Sequence, residues 1–361
     1  MNKLGFVFLR MPRTDEKDEK SIDMESVCAL ADAFMERGGD YFDTAYTYLE
    51  GMSEAAIREA VVRRHKRGSF RIADKLPPWC LKSEGDCERI FAEQLARCGV
   101  DYFDLYLLHG MDAENVEICE KFGVFDFLRG LKERGLAKRI GFSFHDDPSV
   151  LEYILSRHPE MEFVQLQINY LDWLSPVIRA KDCYDIAVRY GLPVMVMEPV
   201  KGGSLASLPP EAKAALDELH PDWTPADWAV RFAQSLEGVE IVLSGMNSLS
   251  QIEANMADIS PLNAGELAAL AKAAEIIRQN TAVGCTGCRY CTPHCPNNMD
   301  IPGYFALYND YCRSPGEKWK MEYLYARLGQ IDCLGCGECA RHCPQRLDIP
   351  AHLEKVKAAF Q

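Results

Sequence analysis

The sequence predicts an α/β protein: a closed (β/α)8 barrel of the TIM type, followed by a small, mostly helical domain rich in cysteine. Three observations predict it. Short β-rich runs alternate with amphipathic helical patterns from residue 5 to about 260, the runs number eight, and the later sequence turns helical only before filling with cysteine. Alternation of this kind requires parallel strands joined by crossover helices, and eight of them over roughly 250 residues match a closed barrel. An open doubly wound sheet is the competing fold, but no run is followed by G-x-G-x-x-G.

The eight runs, in order, are GFVFLRM (5–11), YFDTA (41–45), FRIADKL (70–76), FDLYLLHG (103–110), IGFSFH (140–145), FVQLQIN (163–169), PVMVMEP (193–199) and EIVLSGM (240–246). Between them the 3.6-residue period appears. Val27, Leu30, Ala31, Phe34 and Met35 form one apolar stripe, and Val124, Phe127, Leu128 and Leu131 form another. Gly38-Gly39 and Gly135 stand where such helices should stop. NAGELAALAKAAEIIRQN (263–280) reads as an alanine-rich helix. The expected organisation is therefore a barrel over 1–262, a connecting helix over 263–280 and a cysteine-rich domain over 281–361.

Composition fits a globular protein that buries a core without disulfides, with 48% hydrophobic and 26% charged residues in 361. A formal charge of −14 argues against a nucleic-acid or anionic-membrane partner, because both need clustered Lys and Arg. The first apolar run breaks at Arg10 and Pro12, and no run approaches 18 apolar residues, so a soluble cytoplasmic protein is expected. Of fifteen cysteines, six are scattered through the first two-thirds and read as inert thiols. The nine after residue 284 need their own explanation.

In a (β/α)8 enzyme the reacting groups sit at the C-terminal ends of strands. Asp43 with Tyr48, Lys75 and His109 occupy such ends. A Lys inside the mouth needs a carboxylate partner, and Asp43 is the candidate. The ammonium is expected to lower the pKa of the nearby Tyr48 phenol, making it a proton donor near neutral pH. His109 can donate to a substrate carbonyl. Such a set suits protonating an oxygen while hydride arrives at carbon. His145 also ends a strand and could face substrate, whereas Asp146 and Asp147 read as a helix N-cap.

D-T-A-x-x-Y at 43–48, the strand-borne Lys75 and L-L-H-G at 107–110 resemble the Asp, Tyr, Lys, His tetrad of the aldo-keto reductases over roughly residues 4 to 260. The resemblance implies Tyr48 as general acid/base, Lys75 as its modulator, Asp43 as the lysine's partner and His109 as the substrate orienter. It also implies a nicotinamide cofactor, NADH or NADPH, extended across the barrel mouth. Ser143 and Gln165 fall where the family holds the carboxamide, although Phe144 stands in place of the usual Asn and Met197 in place of a stacking Tyr. At the adenosine end Asn255 matches, while Gly245 and Gln251 replace the Lys and Arg that often grip a 2′-phosphate. Lys201 and Gly202-Gly203 are expected to line the pyrophosphate.

CTGCRYCTPHCPNNMDIPGYF (285–305) repeats as CLGCGECARHCPQRLDIPAHL (333–353), sharing C-x2-C-x2-C-x3-C-P and D-I-P. The first three cysteines of such a run hold one face of a cubane cluster, and the fourth ligates the other cluster. Two 4Fe–4S clusters follow. One takes Cys285, Cys288, Cys291 and Cys343; the second takes Cys333, Cys336, Cys339 and Cys295. The segment resembles the dicluster ferredoxins, and a ferredoxin-like domain is expected. A zinc site built from four cysteines more usually pairs two separated C-x2-C knuckles and does not require Cys-Pro. Cys312 lies outside both runs.

The two halves together resemble ferredoxin-fused aldo-keto reductases. Nicotinamide gives two electrons as hydride, whereas each cluster carries one, so exchange between them normally needs a flavin or a radical-stabilising substrate. No flavin motif is recognisable, though the barrel mouth could hold FMN without one. Three functions are carried forward. The first is reduction of a small carbonyl, or oxidation of an alcohol, at the tetrad. The second is electron transfer in which the clusters exchange with the barrel site through flavin or with an external ferredoxin or flavodoxin. The third is a non-enzymatic redox sensor.

Overall fold

A computed structural model of the chain describes residues 3–15, 18, 20–83, 85–257, 260–313 and 318–360. All eight β-rich runs form strands: β1 (Leu4–Val7), β2 (Tyr41–Asp43), β3 (Arg71–Leu76), β4 (Phe103–Met111), β5 (Ala137–Phe144), β6 (Val164–Gln167), β7 (Val194–Met197) and β8 (Val239–Ser244). Each pairs in parallel with its neighbours in sequence order, and β8 closes on β1. The barrel is the one the alternation predicts.

Strand limits differ from the apolar runs for local reasons. β1 stops at Val7, short of the run's end at Met11. β5 begins earlier than its apolar run, at Ala137, because its charged entry residues find partners. Lys138 bonds Asp104 at 2.9 Å and Arg139 bonds Glu240 at 2.7 Å. The first apolar stripe becomes the helix Met24–Glu36, with Asp23 accepting from the Ser26 N–H at 3.2 Å and Gly38 turning the chain at φ +85°.

Side chains alternate across each strand, so residues two apart share the barrel interior. The inner layer is Tyr41, Ala73, Leu105, Leu107, Phe163, Met195, Ile241 and Leu243, all buried together. A Cβ on Gly5 would lie within 2.9 Å of Tyr41, Ile241 and Leu243, so β1 contributes no bulk at this level. Two residues beyond Tyr41, Ala73, Leu107 and Phe163 come Asp43, Lys75, His109 and Gln165. The packed floor therefore carries a polar tier above it.

The chain divides into two compact units. The first comprises 1–168, 179–199 and 230–261 and contains the barrel strands; the second comprises 169–178, 200–229 and 262–361. In the second unit the alanine-rich segment forms the helix Ala264–Gln279, opened by a reciprocal cap between Asn263 and Glu266. The two D-I-P sequences each start a helix, Ile301–Arg313 and Ile349–Phe360. These helices and Lys318–Leu328 enclose Ile301, Tyr304, Phe305, Tyr325, Leu353 and Val356 in one apolar cluster with Cys291, Cys295 and Cys339. No helix among the described residues is long and apolar enough to cross a membrane.

Candidate functional site

Lys75 is fully buried at the inner end of β3 and makes an ion pair with Asp43, the last residue of β2. Its ammonium also donates to the Thr44 carbonyl at 2.7 Å and lies 3.4 Å from the Tyr48 hydroxyl. These bonds hold a full charge in the barrel mouth that would otherwise be expelled. The tetrad partners predicted from sequence are thus in contact.

His109 sits on an irregularity of β4. Leu108 pairs with Phe142 and Met111 with Phe144, so β4 carries one extra residue here, and Gly110 takes φ +61°. Such a bulge re-aims a side chain. The His109 ring meets Tyr48 edge-on at 5.6 Å and Trp79 at 5.1 Å between centroids. Ser143 anchors the bulge by accepting from the Gly110 N–H at 2.7 Å.

The electrostatics of Tyr48 correct one expectation. Burial raises its phenol well above the ordinary value, and the charges of Asp43, Glu198 and Asp74 push the same way. Asp43 is itself raised by burial, with Lys75 opposing. Tyr48 consequently rests as a protonated donor. His109 is lowered well below its ordinary value by burial, then by Lys75 and His145, and rests neutral.

Three enclosed polar atoms of the described site residues lack hydrogen-bond partners: Asp43 Oδ2, His109 Nδ1 and Gln165 Oε1. Gln165 stands directly beside Ser143 in the β5–β6 register and is 3% exposed. The Gln165 amide oxygen can accept from the N–H of a carboxamide, and the Ser143 hydroxyl, whose oxygen accepts from Gly110, can still donate its proton to the carboxamide carbonyl. At the other end, Gly245 follows β8 with Arg10 alongside, 3.4 Å from where a Cβ would be. Gln251 accepts from the Asn247 N–H at 2.7 Å, and Asn255 donates to Ser244 at 3.1 Å. Asp147 caps the helix Pro148–Arg157 as the sequence suggests, and Asp146 accepts from the Ala113 N–H.

Lys201, expected beside a pyrophosphate, has its ammonium engaged by protein oxygens. It is 6% exposed at φ +47°, bonded to both oxygens of Asp172 at 2.8 and 2.6 Å and to Gln345 Oε1 at 2.6 Å. Gly202 and Gly203 follow, also at positive φ. Sequence reading missed Asp172, Gln345 and the Thr44 carbonyl; Thr44 and Gln345 lie inside motifs, but no motif names the atoms they meet.

In the second unit the cysteines gather in the crossed sets. Cys291 is pushed up to about 12 by burial and by Cys288, Cys285 and Cys343. Cys339 is raised by burial and by Cys333, Cys295 and Cys336. Cys295, Cys333, Cys336 and Cys339 all line one small pocket that is partly open to solvent. Among the described residues no three His, Cys, Asp or Glu converge as a single ion would require. Four thiols on one pocket are the donor set of a multi-iron core, whose positive iron would relieve the crowding of thiolates.

The repeat is exact in backbone detail at an offset of 48 residues. Gly287 and Gly335 share φ +67°, and each N–H lies 3.4 Å from the sulfur two residues earlier. Asn298 and Arg346 share φ +49°, and His294 stacks on His342 at 3.5 Å.

Fold and sites together define a (β/α)8 protein whose mouth holds a buried Asp43–Lys75 pair beside half-buried Tyr48 and His109, with an iron–sulfur module of two cysteine sets. Residues 13–275 match the Aldo/keto reductase family and residues 284–347 match the 4Fe–4S dicluster domain. The chain belongs to the aldo/keto reductase family, with a dicluster domain C-terminal to it. An aldo-keto reductase of Mycolicibacterium vanbaalenii is 30% identical over 242 residues, 66% of this chain and 80% of that protein. An uncharacterized oxidoreductase of Bacillus subtilis is 23% identical over 63% of this chain and 80% of its own length. Among solved structures, an aldo-keto reductase from Klebsiella pneumoniae in complex with NADPH shares the fold, with a TM-score of 0.58 at 22% identity, over 75% of this chain and 90% of that one. An aldo-keto reductase from Bacillus halodurans in its holo form gives 0.59 at 24%, over 75% and 91%.

Proposed function

We propose that the protein reduces a small carbonyl compound, or oxidises the corresponding alcohol, with a nicotinamide cofactor at the barrel mouth. The observation that carries the reading is the Lys75 ammonium, fixed by Asp43 and Thr44 at 3.4 Å from a protonated Tyr48 hydroxyl. When bound, the nicotinamide supplies a hydride to the carbonyl carbon. Tyr48 gives its proton to the carbonyl oxygen as negative charge develops there, and Lys75 stabilises the phenolate left behind. His109, neutral, donates to the same oxygen and sets its approach. Ser143 and Gln165 hold the carboxamide so that one face of the ring meets the substrate. NADPH is the first cofactor to try, since the Klebsiella pneumoniae relative was solved with it.

Cys285, Cys288, Cys291 and Cys343 hold one 4Fe–4S cluster and Cys333, Cys336, Cys339 and Cys295 the other. Each cluster supplies one-electron chemistry. A second reading rests on exposure. Cys336 is exposed and Leu334 beside it is 65% exposed, so the second cluster is accessible to an external one-electron carrier such as a ferredoxin.

The test is anaerobic turnover of the cluster-loaded protein on a carbonyl panel with NADPH and NADH. Tyr48→Phe is expected to lower kcat by roughly a hundred- to ten-thousand-fold, the range for a lost general acid. Unchanged turnover in that variant would remove Tyr48 from the reaction. Turnover that survives loss of the clusters in Cys288→Ala and Cys336→Ala would separate the tetrad's chemistry from theirs.

A further inference from the structure

We propose that Lys201, Asp172 and Gln345 form a buried charge site that positions the Cys343 loop and sets the reduction potential of the cluster held by Cys285, Cys288, Cys291 and Cys343. This rests on that ligand assignment. An ammonium has three N–H donors, and here two Asp172 oxygens and one Gln345 oxygen lie at 2.6–2.8 Å. The lysine and aspartate side chains are 8% and 9% exposed. Gln345 is two residues beyond Cys343 and itself 5% exposed, so the lysine grips the segment that carries a cluster ligand.

The pair has no obvious purpose in stability, because a buried ion pair rarely outperforms apolar packing. Its place beside the cysteines supplies one. Gln345 ties that ammonium to the loop that carries Cys343. A cluster that takes one electron becomes more negative, so a nearby cation favours the reduced state and a nearby anion the oxidised state. In a buried setting neither is strongly screened.

The two repeats differ at this point. The position matching Gln345 in the first copy is Asn297, which is exposed and donates to the Asp332 carbonyl at 2.6 Å within the cysteine module. Two nearly identical motifs are thus set apart by one buried lysine. We infer unequal potentials for the two clusters, and a Lys201 with no donor to spare for a pyrophosphate.

The experiment is a redox titration of the full chain, loaded with iron and sulfide and followed by electron paramagnetic resonance, with mediators supplying the electron. Lys201→Met is expected to make one cluster harder to reduce, by about tenfold in its reduced-to-oxidised ratio, or about 59 mV for one electron. Asp172→Asn is expected to shift the same cluster the opposite way, and Lys201→Arg to stay near the parent. A merely structural pair would not give shifts of opposite sign. If Lys201→Met does not load both clusters, Asp172→Asn against Lys201→Arg carries the comparison. Equal potentials in all loaded variants overturn the proposal, as does weakened NADPH binding in Lys201→Met with potentials unchanged. Wild-type protein with less iron than two cubanes hold would instead sink the ligand assignment.

Discussion

At Lys75 a full positive charge is kept among apolar side chains, and the Asp43 carboxylate with the Thr44 carbonyl makes that tolerable. Removing one partner of such a pair strands the other. Lys75→Met should therefore destabilise the protein by about 3–5 kcal/mol in a denaturant titration, and the added change Asp43→Asn should recover part of the loss. The neighbouring titrations set the pH dependence. Because Tyr48 is raised and His109 lowered, reduction should stay level through neutral pH and fall only in strongly alkaline solution, where the phenol ionises. Alcohol oxidation needs the phenolate and should rise with pH. A step in kcat/KM near the ordinary histidine range would show that His109 is not held neutral. The tetrad was legible as an expectation because each member ends a β-rich run or closely follows one. The raised phenol was not, since it depends on how far the hydroxyl is removed from water and on which carboxylates the fold brings near it.

At the scale of elements, alternation along the strands decides what reaches the mouth. Tyr41 and Asp43, or Phe163 and Gln165, show one apolar residue packed in the floor and one polar residue two positions later. The bulge in β4 breaks that rhythm at His109 and Gly110, where a glycine accepts φ +61° and hands its N–H to Ser143. The sequence L-L-H-G marked the histidine, but the extra residue became visible only through pairing with β5. The cysteine repeats behave in the same way. Their spacing predicts crossed ligands, and Cys295 lines one pocket with Cys333, Cys336 and Cys339. Cys295→Ala should accordingly damage the cluster built on Cys333, Cys336 and Cys339 and leave its own neighbours' cluster in place. Site-resolved paramagnetic spectra would check this; loss of the cluster on Cys285, Cys288 and Cys291 instead would refute the crossing.

Over the whole molecule, the two compact units are not consecutive in the chain, since 169–178 and 200–229 group with the C-terminal hundred residues. The second unit packs its cysteines into its own apolar cluster, so the clusters should contribute to its stability. Chelation of iron is expected to lower a thermal transition of this unit while the barrel's transition holds. Differential scanning calorimetry with and without chelator would show it, and one unchanged transition would count against it.

The sequence by itself determined the eight strands and the repeated cysteine motif, and on them the expected tetrad and ligand sets, because each is a local pattern: period two, period 3.6, or fixed ligand spacing. Tertiary structure alone decided which atoms meet across long separations. Lys201 and Gln345 stand 144 residues apart, and nothing in the spacing of either announces the other. A buried charge is satisfied by whatever acceptor the fold brings to it, and that choice is made by packing.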